Sequence, residues 1–296
     1  MTLTTKAMLC RMQIRMWTAR RFDRDTSEEI ADLHGATDAG RFNKLLLPKT
    51  ALAGMQSAAT ALRTHHAANT LPWTLDGVGL LPATNYFPYM AEHKRLAIMF
   101  DLAKEAFLEG FAAAKGSAKV SLGDLYREDE YPTADDLAGR IGCAVNVWPL
   151  PDAGDFRVDL GNAEEARIRA DIEASVNDAV GAAVRSLWQR VHDTVSAMHE
   201  RLTKFHRDDD GKVKNPFRDS LVTNMRELVD LMARLNVTDD AALESMRRRL
   251  AEKLCPIDPD DLRANDELRA IQAAECAAVL DLMAAYTGAA PALAAE

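Results

Sequence analysis

Cysteine is scarce and scattered: Cys10, Cys143, Cys255 and Cys276 lie far apart, with no C-x-x-C pair. That spacing argues against a disulfide framework and the common thiolate metal sites, and no apolar signal segment precedes the first of them, so reduced thiols in a cytoplasm are expected. No run approaches the roughly 18 consecutive apolar residues that a membrane-spanning helix needs, so a soluble chain with no membrane partner is expected. A basic excess is also missing. The formal charge is −9, which argues against a general nucleic-acid coat, since phosphate binding draws on clustered Lys and Arg. Aromatic residues make up only 6% of the chain while 48% is hydrophobic, so the apolar content is mostly unbranched or small side chains that favour helix.

Charge is unevenly spread. Lys6, Arg11, Arg15, Arg20, Arg21 and Arg24 face a single acid, Asp23, within the first 24 residues, whereas the stretch from Asp239 to Glu296 holds twelve acids and six bases. At 296 residues the length suits one large or two modest domains. The boundary is expected near residue 161: a small sheet with inserted helices over 1–161, and a helical region over 162–296.

Met8, Cys10, Met12, Ile14 and Met16 alternate with Leu9, Arg11, Gln13, Arg15 and Trp17, the period of a half-buried strand over about 7–17. Its expected partners are 143–150 and 155–160, joined through Pro151, Asp152, Ala153 and Gly154, a turn-forming group. Helices are expected from Pro48 to Asn69 and from about Thr84 to Ala114, the latter closed by Gly116 and Ser117. A short helix should begin at Thr133, with Asp136 completing a capping box.

The second half reads as helix throughout. Asn162 is placed to cap a helix over 163–206, in which Val184, Trp188, Val191, Val195, Met198, Leu202 and Phe205 alternate by threes and fours, the seam of knobs-into-holes packing. Such a helix spans roughly 66 Å, more than one compact core can cover. Further helices are expected near 218–235, 239–254 (capped by Thr238) and 259–287. The fold class is therefore mainly α (α+β): a long helical hairpin or bundle with a small three-stranded antiparallel sheet.

Catalytic motifs fail one by one. His199-Glu200 begins like a zinc-protease helix, but position 203 is Thr, and His192, His199 and His206 lie about 10 Å apart along the helix, too far for one ion to bridge. The acidic turn after His206 has Phe217 where a calcium loop needs a bidentate Glu. Gly77-Val78-Gly79 lacks a third glycine, and no Walker-type loop or nucleophile elbow exists. No catalytic, cofactor-binding or metal residue is nominated.

Three groups remain as interaction candidates. The helical seam from Val184 to Phe205 is one, a candidate for self-association. The aromatic segment with Trp73, Tyr86, Phe87 and Tyr89 is a second, offering rigid anchors for docking. The third is a single-strand nucleic-acid face of Arg11, Arg15, Trp17, Arg20 and Arg21, which joins positive charge to a stacking ring but is not favoured by the overall charge.

The segments CRMQIRMWTAR from Cys10, LPKTALAG from Leu47, NTLPW from Asn69, LLPATNYFPYM from Leu80 and PDAGDFRV from Pro151 resemble a phage and prophage family of unknown function. Its genes are often found near those for cobaltochelatase-like AAA+ ATPase and von Willebrand-type proteins. The resemblance covers the first two thirds of the chain and supplies no catalytic residues. It implies a viral or prophage origin and a bacterial cytoplasm, with an AAA+ ATPase as a partner suggested by gene neighbourhood; a homo-oligomer or a phage-encoded protein partner is expected. The expected function is a non-catalytic interaction or scaffold protein acting by helix-mediated self-association or docking. A single-strand nucleic-acid binder and a hydrolase without a recognisable motif are the alternatives.

Overall fold

The structure, a computed structural model, describes residues 3–37, 40–74, 77–155, 158, 161–208, 210 and 212–287. In chain order the elements are β1 (Ala7–Arg15), β2 (Arg20–Phe22), α1 (Arg24–Leu33), β3 (Asn43–Leu45), α2 (Ala53–Asn69), β4 (Leu71–Pro72), β5 (Val78–Pro82), α3 (Ala83–Leu122) and α4 (Ala134–Arg140). There follow β6 (Gly142–Pro149), α5 (Asn162–Lys204), β7 (His206–Arg207), β8 (Val213–Lys214), α6 (Ser220–Leu235), α7 (Ala241–Lys253), α8 (Pro259–Ala264) and α9 (Asp266–Thr287). The fold is mainly α with small sheets, as the composition implies, and no described helix is long and apolar enough to cross a membrane.

The chain divides into two compact units, one made of 1–11, 67–87 and 147–296 and the other of 12–66 and 88–146. The expected boundary at residue 161 falls within the last segment of the first unit.

In the first unit α5 is one continuous helix of 43 residues, about 64 Å long at 1.5 Å per residue. Its buried residues begin only at Ala179, so the part from Asn162 to Asp178 contributes no fully buried side chain. Gly161, not Asn162, takes the cap position, with φ of 88° and no side-chain bond, a left-handed conformation that glycine adopts without a Cβ penalty. From Ala183 onward the helix packs into a core with Val222, Met225 and Met232 of α6, Leu243 and Leu250 of α7, Leu262 of α8, and Cys276 and Val279 of α9. Two expectations change in detail. Asp240 rather than Thr238 caps α7, accepting from the Ala242 and Leu243 amides at 2.8 and 3.2 Å. The single helix expected over 259–287 is two, because Asn265 leaves helical geometry (φ −119°, ψ 110°) and its Oδ1 accepts from the Leu268 N–H at 3.0 Å, starting α9 anew.

The main sheet has the order β4-β5-β1-β6, four strands instead of the three expected. Within the first unit β5 lies antiparallel to β1, with Leu9 opposite Leu80 and Cys10 opposite Gly79, and β4 pairs β5 through Leu71–Leu80 and Pro72–Gly79. The run Val-Gly-Leu-Leu-Pro does not alternate, because its last four residues are all buried, and a strand buried on both faces has no period-two signature. Gly79 is required here: a Cβ at this position would stand 2.7 Å from the Thr70 Cβ. The expected partner strand at 155–160 falls mostly outside the described residues, while the strand expected at 143–150 is β6.

In the second unit α3 continues to Leu122, past Gly116 and Ser117, because Ala118 is 1% exposed and keeps the next turn in the core. Gly123, at φ +52°, ends it. Phe100, Phe107 and Phe111 from α3 pack with Met55, Ala59 and Leu62 of α2, Leu46, Leu47, Tyr131 and Leu137. Thr133 and Asp136 form the expected capping box of α4. Helix α1 and the β2–β3 pair were not foreseen. Helix α1 buries none of its residues, and Asp23, accepting from the Thr26 N–H at 3.0 Å, caps its start.

Candidate interaction surface

The helical seam is spent inside the fold. Trp188, Val191, Val195, Met198, Leu202 and Phe205 are at most 6% exposed, and Val184 is partly buried against the same core. The seam was expected to offer an apolar edge for self-association, and that expectation is corrected: α6 and α9 of the same chain cover it. Burial of the central apolar stripe by neighbours brought back through tight turns is the ordinary fate of a long amphipathic helix.

The aromatic anchors do not form one surface. Trp73 is half-buried against the core of the first unit, and Tyr86 meets Phe87 edge-on at 5.3 Å, leaving Phe87 78% exposed. Tyr89 belongs to the second unit and is fully buried. Its ring is stacked on His65 (5.1 Å, 9°) and His93 (5.9 Å, 19°), while its hydroxyl lies 2.8 Å from His66 Nδ1 and the His65 Nε2 is 3.0 Å from its carbonyl. Burial, and then the neighbouring imidazoles His93 and His65, hold His66 down at about 4. Burial likewise pushes His93 down, with His65 adding to the effect. Three imidazoles thus pack around one buried phenol ring. Beside it an open groove of about 680 Å³ runs along α2 and α3, lined by Gln56, Ser57, Thr60, Thr64, His65 and Glu92.

Of the basic candidates, Arg11, Arg15, Arg20 and Arg21 are exposed, as the alternation of β1 implies. Trp17 is not an open platform: its ring packs edge-on to Phe111 at 5.9 Å (76°) beside the core of the second unit. Arg20 and Arg21 line a cavity of about 310 Å³ together with Asp129, Glu130 and Asp136, and Arg21 Nε is 3.6 Å from Glu130. Acids therefore compensate the positive charge there. Lys44 is fully buried nearby, bonded to Asp23 at 3.0 Å, Glu130 at 2.8 Å and the Leu125 carbonyl at 2.8 Å. Burial alone would push its ammonium down, but Glu130 and Asp23 outweigh that and hold it up. The Thr26 amide, followed by Lys44, keeps Asp23 down at about 2. Among the described residues no group of His, Cys, Asp or Glu is placed to hold a metal ion.

A surface that the sequence reading passed over lies on α3. Opposite its buried stripe, Ile98, Met99 and Leu102 are 60%, 51% and 54% exposed. Arg95 precedes them and Glu105 and Glu109 follow, all exposed. The positions Ala91, Arg95, Ile98, Leu102, Glu105 and Glu109 are separated by alternating fours and threes, so they line one outward face. The signal in the sequence was an i, i+4 apolar pair lying off the core stripe. It is faint because it competes with the stronger aromatic stripe on the same helix. Comparison with protein-family models, with curated proteins and with solved structures finds no match to this chain.

Proposed function

We propose that this protein is a non-catalytic interaction or scaffold protein of phage origin that docks to partner protein through the outer face of α3. One observation carries the reading: three large apolar side chains, Ile98, Met99 and Leu102, stand more than half exposed within little over one helical turn. Single exposed apolar residues are ordinary, but a contiguous group rimmed by charge marks a contact surface. The resemblance stated above suggests an AAA+ ATPase encoded nearby as one such partner, and the exposed apolar group suggests self-association as the other. Because the face lies on a helix whose opposite side is anchored by Phe100, Phe107 and Phe111, it is presented rigidly, which lowers the ordering cost of docking.

The test is binding of the purified chain to itself, by sedimentation velocity, and to the co-encoded ATPase, by calorimetry, each repeated with Leu102→Glu. Loss of either interaction in the variant, at unchanged circular dichroism, is the expected result. Interactions that Leu102→Glu leaves intact would remove α3 as the docking face.

A further inference from the structure

Resting on the reading of α3 as a docking face, we infer that the face is built to pair with a second copy of this chain, antiparallel, about a two-fold axis at the level of residue 100. The argument is the symmetry of the pattern. Arg95, Ile98, Leu102 and Glu105 follow spacings of three, four and three, which read the same in both directions about residue 100. The chemistry reverses end for end: a cation at one end, a carboxylate at the other, and an apolar pair between.

A two-fold contact uses the same patch on both subunits, so residue i of one copy meets residue 200 − i of the other. Ile98 then faces Leu102 of the second copy and Leu102 faces its Ile98, closing a four-residue apolar centre. Arg95 faces Glu105 of the second copy, and the symmetric pair repeats this on the other side. Ala91 lies across from Glu109 of the second copy, where its small side chain admits a long neighbour. A parallel pairing would bring Arg95 onto Arg95 and Glu105 onto Glu105, like charges at contact distance, so the same four residues that favour one orientation oppose the other.

Within the second unit, Ile98, Met99 and Leu102 of this face are all more than half exposed among the described residues. Arg95 is held by Glu92 one turn back, through Nε at 2.8 Å and Nη2 at 2.6 Å. That grip pre-orders a side chain which is still 62% exposed, and a guanidinium has donors left for a second carboxylate. An unrelated partner would need no such end-for-end symmetry, whereas a second copy does.

The experiment uses the full chain and sedimentation equilibrium, with circular dichroism as the check on folding; every substituted side chain is exposed, so the fold is expected to survive. The wild type is expected to dimerise, and Leu102→Glu to be monomeric. Arg95→Glu and Glu105→Arg should each weaken the dimer about tenfold or more, since each turns two attractive contacts into two repulsive ones. Mixing those two variants should restore a 1:1 heterodimer, and the double variant carrying both should dimerise like wild type. A wild type that stays monomeric at concentrations on the order of 100 µM overturns the inference. If Leu102→Glu then still abolishes ATPase binding, the docking role of α3 survives on its own. A dimer indifferent to all of these substitutions overturns the inference, and ATPase binding that Leu102→Glu leaves intact overturns the docking role of α3.

Discussion

Lowering the pH from about 7.5 to about 5 should loosen the second unit through the imidazoles packed around Tyr89. His66 is held at about 4 against an ordinary value of 6.5 by burial and by His93 and His65. A histidine whose value is depressed by folding binds its proton more readily when unfolded. Its contribution is therefore complete above about pH 6.5 and is lost progressively as the pH falls toward about 4. Between those two conditions the unfolded histidine becomes almost fully protonated and the folded one hardly at all, which costs about 2 kcal/mol from His66 alone. His93 acts in the same direction, being 6% exposed with its buried Nδ1 lacking a hydrogen-bond partner among the described residues. The paired carboxylate Asp23 stays out of this window, because its contribution is complete above its ordinary value of 3.8 and is lost only as the pH falls from about 4 toward about 2. Hydrogen exchange of α2 and α3 amides, measured in urea at both pH values, reads the effect in the unit concerned. His66→Gln supplies the control, since its amide can still meet the Tyr89 hydroxyl and does not titrate. The reasoning is refuted if wild type loses no more stability than His66→Gln over this interval.

Lys44→Met should destabilise the second unit by about 3 kcal/mol, because it leaves Asp23 and Glu130 without their buried cation; urea denaturation checks it, and adding Asp23→Asn should recover part of the loss. Arg190→Met should cost the first unit about 2–4 kcal/mol, read from the thermal midpoint, since its guanidinium donates to the Ala68 and Thr70 carbonyls at 2.8 and 2.6 Å and both charge-assisted bonds are lost. Gly79→Ala should cost about 1–3 kcal/mol by the same measurement, as its new Cβ would press on Thr70 across a backbone with little room to give; an unchanged midpoint would mean that β4 moves aside freely.

By itself the sequence determined those features whose cause is local. The 3–4 spacing from Val184 to Phe205 made α5 a helix, the Thr133–Asp136 pair started α4, and the alternation of β1 put Arg11, Gln13 and Arg15 outward, each because a side chain acts on backbone or faces within a few residues of itself. Tertiary structure decided what covers those faces. Residues 183–205 could equally have met a second molecule or the chain's own helices, and only the folding back of α6 and α9 chose the latter. The strand β5 was hidden because burial on both faces erases its periodicity, and Tyr89 read as a surface anchor until His65, His66 and His93 closed around it. The exposure of Ile98 and Leu102 was hidden for the same reason: whether an apolar pair stays exposed depends on where distant segments come to rest.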